Sequence, residues 1–68
     1  MSKMELKDYV SEKLDLIRNS EHDPEQAHGQ EKDLWETVLR LAADGYDVKE
    51  SAKEALKSKE IDFPRWFA

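Results

Sequence analysis

Cysteine is absent from this 68-residue chain. That excludes a disulfide framework and a thiolate metal site. Glycine and proline are scarce, with two of each, so no glycine-rich loop is available to cradle a phosphate. No apolar run approaches the ~18 residues of a membrane span, and the N-terminus lacks the apolar core of a secretory signal. A soluble, cytoplasmic protein is therefore expected. Aromatics are few, six in all, and three of them (Phe63, Trp66 and Phe67) lie in the last six positions.

Charge, by contrast, is plentiful: 40% of the residues are Asp, Glu, Lys or Arg, and the net charge is −5. Residues 1–19 carry four bases and four acids, and residues 46–68 carry five of each. The excess sits in residues 20–45, where Glu21, Asp23, Glu25, Glu31, Asp33, Glu36 and Asp44 face only Lys32 and Arg40. A domain with its excess charge on one acidic stretch is a poor direct binder of nucleic acid, which requires clustered Lys and Arg. It suits a basic partner, or simply keeps the chain soluble.

One domain is the most that this length allows, and residues 1–68 read as one. A core of this size supplies about 3–5 kcal/mol at best. Three helices are expected. The first runs from Lys3 to Asn19, opened by a capping box of Ser2 and Glu5. Its apolar stripe is Leu6, Val10, Leu14 and Ile17, widened by Tyr9 and Leu16.

The second has the strongest start signal, with Asp23 as N-cap, Pro24 in the first position and Gln26 closing the box. It should reach about Asp44 and stop at Gly45. Its apolar face is Ala27, Leu34, Trp35, Val38, Leu41 and Ala42, with Leu39 flanking. The third begins at the N-cap Asp47, boxed with Glu50, and runs to about Lys59. Its face is Val48, Ala52, Ala55 and Leu56. Ile61 falls off that face at 3.6 residues per turn, so the chain should turn near Glu60. The fold expected is all-α: a two-helix hairpin, a shorter third helix and an aromatic C-terminal tail packed on them.

Glu31 projects from the middle of the second helix's apolar face, with His28 one turn before it. A carboxylate there is costly unless paired. Either the two form a buried polar pair, or the helix projects past its neighbours and leaves both in water; the second is the more ordinary arrangement. Glu25-x-x-His28 has the spacing of one half of a carboxylate-bridged metal site, and a homodimer would bring two such sets together. The spacing arises readily by chance in a Glu-rich chain, and no metal or cofactor is expected. No serine has a nucleophile-elbow context, so no catalytic residue is assigned and an enzyme is not expected. Lys49, Lys53 and Lys57 share one helical stripe, but Glu50 and Glu54 interleave, as on a solvated face. The tail either completes the core or presents Arg65, Trp66 and Phe67 as an anchor, since Trp and Arg dominate interface hot spots.

The stretch from Asp23 to Leu39 and the ending from Ala55 to Ala68 resemble small helical proteins encoded by bacteriophages and prophages. Those proteins share a D-P-E-x-A-H-x-x-E segment, here Asp23 to Glu31, and an I-D-F-x-R-W ending, here Ile61 to Trp66. The resemblance carries no assigned activity. It implies a cytoplasmic accessory protein in a bacterial host cell, acting on a host or phage protein.

These readings lead to a non-enzymatic protein–protein interaction module. Its candidate partner-binding residues are Glu25, His28, Glu31, Trp35, Arg65, Trp66 and Phe67. The alternatives are an acidic mimic that blocks a nucleic-acid-binding protein, and a metal-binding helical homodimer. A homodimer would pair the second helix around Trp35, Val38 and Leu39.

Overall fold

The computed structural model describes residues 2–61 and 63. Three helices follow in order: α1 (Lys3–Asn19), α2 (Pro24–Ala43) and α3 (Lys49–Ala55), the last continuing into a 3-10 turn, Leu56–Glu60. There is no strand among the described residues. The fold is all-α, as the apolar periodicity indicates. Side-chain capping sets where the two long helices begin. Ser2 Oγ accepts from the Glu5 N–H at 3.1 Å, and Asp23 Oδ1 accepts from the Gln26 N–H at 3.4 Å with Pro24 opening the helix. Each satisfies a backbone donor that the helix itself leaves unpaired.

The end of α2 is a Schellman turn. The Gly45 N–H reaches Ala42 O at 3.0 Å and the Tyr46 N–H reaches Leu41 O at 3.1 Å. That geometry needs a left-handed residue, and Gly45 supplies it with φ +91°.

α1 packs mainly against α2, and α3 lies against both. Leu6, Val10, Leu14 and Ile17 of α1 meet Ala27, Leu34 and Val38 of α2, with Ala55, Ile61 and Phe63 closing the core. Tyr9, Trp35, Leu41, Val48 and Ala52 pack against its edge. Phe63 is 4% exposed, so that part of the tail completes the core.

Four expectations need correction. Leu16 and Ala42 are exposed rather than part of their helices' buried stripes, because each lies at the margin of a face already filled by larger or better-centred neighbours. Val38 is buried inside the chain, so it is not available to a dimer seam. The N-cap of α3 is Val48, without a side-chain cap. Asp47 accepts from Lys49 N–H at 3.4 Å, a bond two residues on, typical of an Asx turn.

The fourth correction concerns the end of α3. Leu56, placed on the buried face by α-helical spacing, is 56% exposed, whereas Ser58 is fully buried and Ile61 is 6% exposed. Leu56 still follows α geometry, with its N–H on Ala52 O, and lies at the margin of the α3 face, about 100° from Ala55; beyond it the helix type changes. A 3-10 helix has three residues per turn, so residues at i and i+3 eclipse. Ala55, Ser58 and Ile61 thus line up on the core side. At 3.6 residues per turn Lys59 would instead come into line with Val48, Ala52 and Ala55, and a lysine ammonium is costly to bury.

Candidate functional site

One flank of α2 carries two of the four described candidate residues, His28 and Trp35. His28, Lys32, Trp35, Leu39 and Ala42 fall in one row at spacings of three and four residues. His28 and Trp35 are half-buried, whereas Lys32, Leu39 and Ala42 are exposed. Leu39 is the most open large hydrophobic side chain of α2, at 69%.

The position of Trp35 is fixed by the 3-10 turn. Its indole Nε1–H donates to Ser58 Oγ at 3.1 Å, and Lys59 Nζ stands 5.9 Å from the ring centroid, within range of a cation–π contact. Ser58 and Lys59 escaped a reading based on α-helical spacing. Their signal was the spacing of three that joins Ala55, Ser58 and Ile61.

Glu31 is 2% exposed, so the arrangement that left it in water is overturned. α1 packs along that turn of α2, where Lys13 reaches Gln30, so the helix does not project past its neighbours. His28 is half-buried beside it, and its Nδ1 is shut off from solvent without a hydrogen-bond partner among the described residues. Glu25, one turn earlier, is exposed. Among the described residues no group of three or more His, Asp or Glu is placed to hold a metal ion, so Glu25, His28 and Glu31 do not form such a set within one chain. Arg65, Trp66 and Phe67 lie outside the described residues.

The other side of α2 is tied to α1 by polar contacts. Tyr9 Oη donates to Thr37 Oγ1 at 3.1 Å. Lys13 Nζ donates to Gln30 Oε1 at 2.7 Å, lies 3.6 Å from Asp33 Oδ2, and sits 5.8 Å from the Tyr9 ring centroid. Lys32 approaches Glu36 at 4.0 Å. Glu21, Glu25, Asp33 and Glu36 are all exposed, yet Asp33 and Glu36 each have a basic neighbour. The acidic surface is therefore interrupted rather than a continuous row of carboxylates. Exposed pairs of this kind contribute only ~0–1 kcal/mol.

A groove of about 360 Å³ opens between α1 and α3, lined by Lys7, Val10, Ser11, Asp47, Glu50, Ser51 and Glu54. Its lining residues are polar or charged except Val10, and none of the candidate residues is among them.

No family model, curated protein or solved structure matches the chain. No helix among the described residues is long and apolar enough to cross a membrane.

Proposed function

We propose that this chain is a non-enzymatic protein–protein interaction module, an accessory protein of the phage or prophage type that binds a host or phage protein in the bacterial cytoplasm. The observation that carries the reading is the flank of α2, where Leu39 stands 69% exposed one turn beyond a half-buried Trp35. A tryptophan held in place by its own hydrogen bond, beside an open leucine, is a preorganised anchor. Arg65, Trp66 and Phe67 are further candidate anchor residues by residue type. A homodimer through the same flank would use Trp35 and Leu39 without Val38.

The second reading, an acidic mimic, is favoured by the exposure of Glu21, Glu25, Asp33 and Glu36. It is weakened by Lys13 beside Asp33 and Lys32 beside Glu36.

The experiment is affinity capture from host lysate with the full chain, Leu39→Glu and a Glu25→Gln/Glu36→Gln double variant, each checked for folding. A protein captured by the parent and lost with Leu39→Glu supports the anchor. Loss with the double variant, together with release at high salt, supports the mimic, because screening weakens exposed charge contacts. A captured set unchanged across all three, or no specific capture, overturns both.

A further inference from the structure

Leu56–Glu60 stands between two helical registers that bury different side chains. Continuing α3 as an α-helix would place Lys59 in line with Val48, Ala52 and Ala55 and would carry Ile61 away from the core. The 3-10 register avoids this by aligning Ala55, Ser58 and Ile61 inward and turning Lys59 out over Trp35. It buries the Ser58 hydroxyl, which accepts from the Trp35 indole. It also spans five residues, where 3-10 runs beyond about 3–4 are uncommon because their hydrogen-bond geometry is poorer. A run of that length implies a restraint from outside it. Two restraints are present: the Trp35 Nε1–H bond to Ser58 Oγ at 3.1 Å, and the burial of Ile61 and Phe63 immediately beyond the turn.

We infer that Leu56–Glu60 is a conformational joint, held in its 3-10 form by the docking of Ile61 and Phe63, and that undocking Phe63 converts it to an α-helix continuous with α3. In the α form Leu56 stays where α3 already places it, with its N–H on Ala52 O. Ser58 leaves the core and Trp35 loses its hydrogen-bond acceptor. The docked Phe63 thereby controls whether Trp35 is held rigidly. Any effect on a partner rests on the reading of the α2 flank given above, but the joint itself is testable without one.

The test is solution NMR of the full chain, comparing the parent with Phe63→Ala and Lys59→Leu. The parent should show Hα(i)–HN(i+2) contacts across Leu56–Glu60 and a protected Trp35 indole N–H. In Phe63→Ala, Hα(i)–HN(i+4) contacts should appear from Ala55 to Lys59 and from Leu56 to Glu60. The indole N–H should exchange on the order of tenfold faster, as expected for loss of one hydrogen bond. Retention of the 3-10 pattern, or loss of all helical contacts in 56–60 while α1 and α2 stay folded, overturns the inference. Lys59→Leu leaves Phe63 docked and should keep the 3-10 pattern; (i, i+4) contacts there would show that the Lys59 charge, not docking, holds the turn, and would overturn the inference. Should Phe63→Ala not fold, Phe63→Leu decides, because it weakens the docking while keeping an apolar side chain: appearance of the (i, i+4) contacts supports the joint, and their absence overturns it.

Discussion

The register at the end of α3 can be tested by truncating two aliphatic side chains of equal size. Leu56→Ala and Ile61→Ala each remove the same three carbons, worth ~0.8 kcal/mol apiece when fully buried. Ile61 is 6% exposed in the core cluster, so nearly all of that transfer term is lost and a cavity term is added, giving about 2.5–4 kcal/mol. Leu56 is 56% exposed, so less than half of its surface is covered and water fills the gap; the loss should be at most about 1 kcal/mol. An uninterrupted α-helix would leave Leu56 where it is but carry Ile61 off the buried face, so that both losses would be small. Urea unfolding followed by far-ultraviolet circular dichroism is the assay. In a domain this small the total stability is only ~3–5 kcal/mol, so both substitutions belong in a stabilised background. Each kcal/mol should move Tm by roughly 4–8 °C. A loss for Ile61→Ala no larger than that for Leu56→Ala would refute the 3-10 register and the inference built on it.

Three further outcomes follow from single positions. Gly29→Ala should stabilise the protein by about 1 kcal/mol in the same unfolding assay, because a Cβ there meets nothing within 4 Å and alanine is the better helix former; this variant supplies the stabilised background. Asp23→Ala should cost about 0.5–2 kcal/mol through loss of the α2 cap, and a negligible loss would mean that the 3.4 Å contact is not a working cap. Tyr9→Phe should cost about 0.5–1.5 kcal/mol by removing the 3.1 Å bond to Thr37, and the further change Thr37→Val should then cost less than it does alone.

How much of this was legible in the sequence depended on how local the determinant was. Ser2, Asp23, Pro24 and Gly45 act on backbone groups within a few residues, so the starts of α1 and α2 and the end of α2 could be read directly. The buried row Leu6, Val10, Leu14 and Ile17 follows from one period alone. Glu31 was different: its position on the apolar face was visible, but whether anything covered that turn depended on how α1 packs against α2. The end of α3 was hidden for another reason. Ile61 was read as leaving the α3 face with a turn near Glu60, and the chain does turn there; the period change from 3.6 to three, which brings Ser58 and Ile61 inward, was not visible, and Leu56 was included on a face whose margin it occupies. The Trp35–Ser58 bond depends on that change, and no fixed sequence spacing between α2 and the turn would have revealed it.

Gly29 has a practical consequence beyond stability. The chain has no cysteine, so a thiol introduced at Gly29 would be its sole site for maleimide chemistry. A side chain there enters open space on the exposed side of α2, one turn before Lys32. A dye or spin label at that point sits close to the His28–Ala42 row without disturbing the core. It would report the approach of a partner, or of a second copy of α2, by distance rather than by affinity.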